Sequence, residues 1–442
     1  MKLGWLFHVA IAEDDRKVFE VLYKLHRTPF YANSHRELDF THVQRCAVVY
    51  QRLNLLEWLH QRMRRDECLV WEDELLEHAV RLCEAPNFHL LDWLYKNCPP
   101  ESLQLTTQDI DQAAGFGHLG LMQWLHDHKY SFSGNAMDCA AREGHLEVVQ
   151  YLHEHRTEGC STLAMDLAAS NGHLSTLEFL HKHRHEGCTT VAMDEAAKNG
   201  HLQIVQFLHE MRTEGCTTNA MDDAARYGHL DVVRFLHLHR VEGCTTKAMD
   251  SAADNGELAV LKYLSKNRTE GFSSKPISWS SRNLALQVVQ FLHEHRTSGW
   301  TTAAMDCAAG EGCLDVLHFL HKNRTDGCTS YGMDRAAGRG FMDVVRFLHQ
   351  TGNASCTTYA MDSAAREGHL DVVRFLHENR SEGCTKAALT QAMMKGHHGV
   401  VSFLRTHRTE GYSPEIVAQA MRNGASNITN ALLKYHDFLS CT

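Results

Sequence analysis

T-T-N-A-M-D-D-A-A-R-Y-G-H-L-D-V-V-R-F-L-H-L-H-R-V-E-G-C, residues 217–244, reads as two short helices joined by a glycine. Ala220, Met221, Ala224 and Ala225 lie at helical spacing behind Thr217 or Thr218, and either threonine suits an N-cap. Asp222 reads as an early anion that the helix dipole favours. Gly228 breaks this helix. In the second, Leu230, Val232, Val233, Phe235 and Leu236 make a broad apolar face, and Arg240 closes the C-terminal end. Neither helix can bury its apolar face alone, so such a unit is stable only when stacked on copies of itself.

The copies are present. A-M-D recurs with its Met at 137, 165, 193, 221, 249, 305, 333 and 361, always 28 apart except from 249 to 305, where Ile277 stands midway. Leu389 and Val417 continue the register. Ile110-Asp111-Gln112-Ala113-Ala114 is an earlier copy, and looser ones end at Trp93-Leu94, Trp58-Leu59-His60 and Leu25-His26. The sequence therefore predicts an all-α chain, an α-solenoid of stacked helix-turn-helix repeats with short loops. Residues 107–442 hold the 28-residue repeats and 1–106 the divergent N-terminal ones. Residues 273–299 are a degenerate repeat: Pro276 opens it, Trp279 lies within it, Ser280-Ser281 replaces Ala-Ala, and Leu284 replaces the turn glycine.

N-A-M-D-D-A-A-R-Y-G-H-L-D-V-V-R-F-L-H, residues 219–237, resembles the ankyrin repeat pattern T-P-L-H-x-A-A-x-x-G-H-x-x-V-V-x-x-L-L. Met fills the family's Leu slot, Asp its His slot and Ala its Pro slot. The period is 28 where the family uses about 33. The missing residues must come from the connection R-V-E-G-C-T-T, so tight loops without a projecting finger are expected. The resemblance implies a non-catalytic scaffold that binds a protein partner on its concave solenoid surface. An alternative within the family is a substrate-recruiting adaptor of a larger assembly such as a ubiquitin ligase, with residues 1–106 as the docking part.

The 33 histidines and 15 cysteines suggest metal until they are sorted by column. One histidine column follows the turn glycine (His145, His173, His201, His229, His369) and also accepts Glu257, Cys313 and Phe341. The other ends the second helix's apolar run (His153, His181, His237, His321, His377) and accepts Ser265 and Arg405. A metal chain would not tolerate such exchanges. These read as structural positions, with the first column placed to bond loop carbonyls. Cys160, Cys188, Cys216, Cys244, Cys328, Cys356 and Cys384 share a column with Phe272, Trp300 and Tyr412, as a buried apolar position does. Repeats about 10 Å apart lie beyond the ~7 Å reach of a disulfide, so this ladder should stay reduced. No metal or cofactor is expected.

Other chemistry is scarce. Gly115-Phe116-Gly117-His118-Leu119-Gly120 spells G-x-G-x-x-G but sits at an inter-helix turn rather than after a strand. No constellation of catalytic residues stands out, so no enzyme is expected. Lys2, the apolar stretch Leu3 to Val9 and Ala10-Ile11-Ala12 imitate a signal peptide, yet they run on into helix-like sequence. We therefore expect a cytoplasmic monomer without membrane contact. The formal charge of −10 argues against nucleic acid. Arg184, Arg212, Arg240 and their equivalents form a basic column, but Glu186, Glu214 and Glu242 two residues later neutralise it.

Columns that vary between repeats are free to meet a partner. The pair before the turn glycine varies (Arg142-Glu143, Ser170-Asn171, Lys198-Asn199, Arg366-Glu367), as does the position two before Met (Leu163, Val191, Asn219, Lys247, Tyr331, Tyr359). Tyr and Arg are favoured anchors at interfaces. Tyr331, Arg335, Arg339, Tyr359 and Arg366, from adjacent repeats, are thus the expected partner-binding residues.

Overall fold

A computed structural model describes residues 4–26, 42–63, 71–81, 87–273, 286–296, 298–352, 354–413 and 415. Among them are 27 α-helices and one short 3-10 turn, with no strand. The chain divides into two compact units, Met1–Ala220 and Met221–Thr442. Each is a stack of helix-turn-helix repeats in the manner of an α-solenoid. Trp279, the Pro276–Arg282 stretch of the degenerate repeat and the final copy around Val417 lie outside the described residues.

Repeats have a first helix of nine or ten residues, such as Thr190–Lys198, and a second of ten, such as Leu202–Met211. In the first unit, the helix Gly134–Arg142 packs between Thr107–Gly115 and Thr162–Ser170. In the second unit, Ser330–Gly338 packs between Ala303–Gly310 and Thr358–Glu367. First helices approach closely because their facing columns are small: Ala164, Ala168, Ala169 and their equivalents are fully buried. Met165, Met193, Met305 and Met361 are buried in the core beside them. Only residues 240–245 connect Leu230–His239 to the next repeat, the tight loop that the short period requires. The N-terminal pairs Gly4–Ala12 with Arg16–His26, Val43–Val49 with Leu53–Met63, and Leu75–Arg81 with Phe88–Asn97 stack similarly, first helix on first helix. Gly4–Ala12, the signal-like stretch, buries Ala10 and Ile11 in that stack.

The aspartate of A-M-D departs from expectation. It lies beyond the first turn, and its carboxylate reaches the next repeat instead of its own helix dipole. Asp166 Oδ1 accepts the Thr189 backbone N–H at 2.8 Å and Oδ2 accepts the Thr189 hydroxyl at 2.8 Å. Thr189 Oγ1 in turn accepts the Val191 N–H at 3.2 Å, capping the next first helix. The pattern repeats at Asp138 with Ser161, Asp194 with Thr217, Asp306 with Thr329 and Asp334 with Thr357. Each repeat thus fastens the N-cap of its successor. Thr217, whose Oγ1 accepts from Asn219 N–H, is the cap of its helix, and Thr218 is the first helical residue.

The histidine columns have separate jobs. The post-glycine ring lies over the turn glycine of the preceding repeat: a Cβ on Gly144 would come 2.6 Å from His173 Cγ, and one on Gly340 2.6 Å from His369 Nδ1. Any flat side chain serves, which is why Glu257 covers Gly228 and Phe341 covers Gly312. His145 also reaches the Gly115 carbonyl, 3.0 Å from Nε2. The second column forms edge-to-face pairs with an aromatic ring of the next repeat, His153 with Phe179, His349 with Phe375 and His377 with Phe403, at 5.4–5.6 Å.

The cysteine column is apolar, and it also receives a guanidinium from the next repeat. Arg212 interacts with Cys188, and Arg380 with Cys356. Where the column is aromatic the arginine lies over the ring: Arg156 on Phe132 at 4.5 Å, Arg324 on Trp300 at 4.7 Å. Burial pushes the Cys188 and Cys356 thiols up to about 11, so they stay protonated. The same arginines pair with the carboxylate two residues on, Arg184 with Glu186 and Arg408 with Glu410.

That pairing gives a pH prediction. Burial alone would raise the Glu186 carboxyl, but hydrogen bonds from Arg184 and the backbone, with the arginine's charge, hold it at about 2. A folded-state value below the unfolded one of about 4.3 adds stability at neutral pH, and that stability is lost as pH falls from there to about 2. NMR titration should therefore give Glu186 a midpoint near the bottom of the carboxylate range, moving upward in Arg184→Gln.

Candidate functional site

The residue two before each Met stands in the first turn of its first helix and points away from the stack. Leu163 and Val191 are exposed in the first unit; in the second, Tyr331 is 58 % and Tyr359 53 % accessible. From Tyr331, one turn along the helix brings Arg335 onto the same face, with its guanidinium carbon 5.5 Å from the Tyr331 ring centroid. Arg335 Nη2 lies 3.1 Å from Glu311 Oε1, and Arg339 Nη1 2.6 Å from Glu311 Oε2. Tyr359 and Arg366 lie two turns apart on the next first helix, and their side chains interact. Arg366 Nε is 2.8 Å and Lys395 Nζ 2.9 Å from opposite oxygens of Glu367. Hydrogen bonds from Lys395 and then Arg366 hold the Glu367 carboxyl below its usual range.

The structure thus joins Tyr331, Arg335 and Arg339 in one cluster, and Tyr359 and Arg366 in another. Two partners were missed, Glu311 and Lys395. Both occupy the position just before the turn glycine, where the sequence varies, and the preceding or following repeat supplies the opposite charge. Arg339 is less free than expected, because it also donates to the Gly310 carbonyl at 2.6 Å. Asn171 and Asn199 donate likewise to the Arg142 and Ser170 carbonyls at 2.7 and 2.8 Å. The second member of the variable pair therefore ties first-helix ends together, and where it is a long cation, as at Arg339 and Lys395, much of its side chain stays open to solvent. Gly115-Phe116-Gly117 ends a first helix, with the His145 ring set against Gly117, so the glycine motif is a repeat turn.

Residues 110–153 and 137–181 match the family model described as ankyrin repeats (many copies), and residues 165–250 the one described as ankyrin repeats (3 copies). Residues 110–250 thus carry ankyrin repeats. Such repeats generally mediate protein–protein interaction, and the family is typically a non-catalytic interaction scaffold. No curated protein matches this chain. Among solved structures it is similar to the pentatricopeptide repeat protein PPR10 in complex with an 18-nt psaJ RNA element, at 12 % identity and TM-score 0.40 over 98 % of this chain and 68 % of that one. The same protein from maize gives 10 % identity and TM-score 0.34, over 98 % of this chain and 74 % of that one.

The exclusion of nucleic acid is corrected, since it rested on net charge alone. A formal charge of −10 is a sum over all faces and does not exclude an anion from one of them. Among the described residues, no helix is long and apolar enough to cross a membrane.

Proposed function

We propose that this ankyrin-repeat chain is a non-catalytic interaction scaffold that takes a protein partner on the concave surface presented by its first helices. Residues 1–106 are divergent repeats ahead of the regular 107–442 array in this reading. The observation that carries it is the pair of exposed tyrosines, Tyr331 and Tyr359, held beside arginines on successive first helices. A large aromatic ring costs hydration when exposed, and side-chain contacts with Arg335 and Arg366 keep these two oriented.

Affinity purification with the full chain tests the reading. Tyr331→Ala/Tyr359→Ala should lose its partners at least about tenfold relative to the wild type, as expected for two anchors of about 1 kcal/mol or more each. Val241→Ser, changing a fully exposed loop residue away from this face, should lose none. A folded double variant that retains every partner removes this face from the function.

A further inference from the structure

We propose that the Tyr331/Tyr359 face selects an acidic peptide segment of its partner. This deepens the protein-binding reading above and rests on it. Both clusters share one composition: two cations on a single carboxylate, Arg335 and Arg339 on Glu311, then Arg366 and Lys395 on Glu367. Each therefore carries one positive charge in excess, in a chain whose formal charge is −10. In each cluster the carboxylate is less exposed than its cations: Glu311 is 17 % accessible beside Arg339 at 44 %, and Glu367 35 % beside Lys395 at 45 %.

At two first-helix ends of the first unit the pairing is one to one. Arg142 meets Glu143, and Lys198 meets Glu195, so those ends are neutral. The two-cation clusters stand on and beside the helices that carry the two tyrosines. An arginine has five N–H donors, and a shared carboxylate cannot occupy all of those on two neighbours. Donors remain for a second carboxylate, brought by the partner, while its backbone and apolar atoms lie on the phenol rings. The clusters are about two repeats apart, roughly 20 Å at helix-packing distances. In an extended strand, at about 3.3 Å per residue, acidic residues about six apart would meet both.

The test uses the full chain and fluorescein-labelled peptides of about twelve residues, long enough to span both clusters. One carries glutamates in two blocks on a Gly/Ser background, a second has glutamine in their place, and a third probe is oligo(U) of similar charge. By anisotropy near 50 mM salt, where screening is modest, the Glu peptide should bind at least about tenfold more tightly than the Gln peptide. Most of that advantage should vanish in Arg335→Gln/Lys395→Gln and reverse in Arg335→Gln/Lys395→Glu, which turns the summed excess of the two clusters negative. Equal binding of the two peptides overturns the proposal. So does tighter binding of oligo(U) that the same substitutions abolish, which would assign the face to single-stranded nucleic acid. If Tyr331→Ala/Tyr359→Ala loses its captured partners but the Glu peptide shows no preference, the charge selection fails and protein binding stands. If the partners are retained as well, both fail.

Discussion

Replacing Asp166 with alanine is expected to lower stability by about 2–3 kcal/mol, although the residue lies far from any surface a partner could touch. Its side chain is buried, with 3 % of its surface accessible, and both oxygens are spent on Thr189 of the next repeat. Hydrogen bonds to a charged acceptor contribute about 1.5–3 kcal/mol each before the burial cost of the carboxylate is subtracted. Alanine removes both bonds and frees the Thr189 hydroxyl that caps Thr190–Lys198, a cap worth about 1 kcal/mol. Asp166→Asn should cost only about 1 kcal/mol: its carbonyl still accepts the Thr189 N–H, and the hydroxyl loses one acceptor. In a stack coupled by nearest neighbours the damage stays at one junction. Amide exchange at Thr189 and Val191 should therefore accelerate more than at Thr217 and Asn219. Equal losses for the alanine and asparagine variants in urea denaturation would show that the paired acceptors are not the source.

The pH dependence separates this joint from the arginine–glutamate loops. Burial raises the Asp166 carboxyl above its ordinary range, and the bonds from Thr189 offset only part of that. A folded value above the unfolded one of about 3.9 means that its contribution is fullest below that pH and declines as pH rises through the folded value. The difference between wild type and Asp166→Ala should thus grow on mild acidification. The Glu186 contribution shrinks on approach to its value of about 2. Two carboxylates that look alike in the repeat sequence respond to acid in opposite directions.

Register and packing were legible because they are periodic. Met, the Ala pair, the turn glycine and the Val-Val pair recur at fixed offsets, and each offset corresponds to one packed surface. What the sequence hid was direction along the stack. Asp222 and Thr245 are 23 residues apart, and nothing in the letters says that a carboxylate in one helix caps the next. The cysteine column read correctly as buried, yet its aromatic substitutes Phe132 and Trp300 hinted at a second requirement, a surface that accepts an arginine. The site was half legible for the same reason. Tyr331 and Tyr359 stood out as variable and exposed, whereas Glu311 and Lys395 join the clusters only through the repeat spacing. Variability alone did not show that Arg339 also bonds the Gly310 carbonyl, a bond made in sister repeats by an asparagine before the turn glycine.

Gly144→Ala is expected to cost about 3 kcal/mol, from two sources that can be separated. The residue has φ +77°, a left-handed conformation that costs an L side chain about 1–2 kcal/mol. The remainder comes from the next repeat, because the new Cβ would fall 2.6 Å from His173 Cγ and the ring must leave its seat. Gly327→Ala isolates the first source: φ is +75°, and among the described residues nothing lies within 4 Å of the added carbon. It should cost only the conformational part, about 1 kcal/mol. The second source is read from a double-mutant cycle. In a His173→Ala background the ring is absent, so Gly144→Ala should fall to the cost of Gly327→Ala, a coupling of about 1–2 kcal/mol between residues in adjacent repeats. No coupling would mean that the ring gives way freely, and the post-glycine column would then owe its preference for His, Phe and Glu to something other than the seat on the glycine. A full coupling explains that preference, since each of these side chains presents a flat group to a carbon that has no room for a methyl.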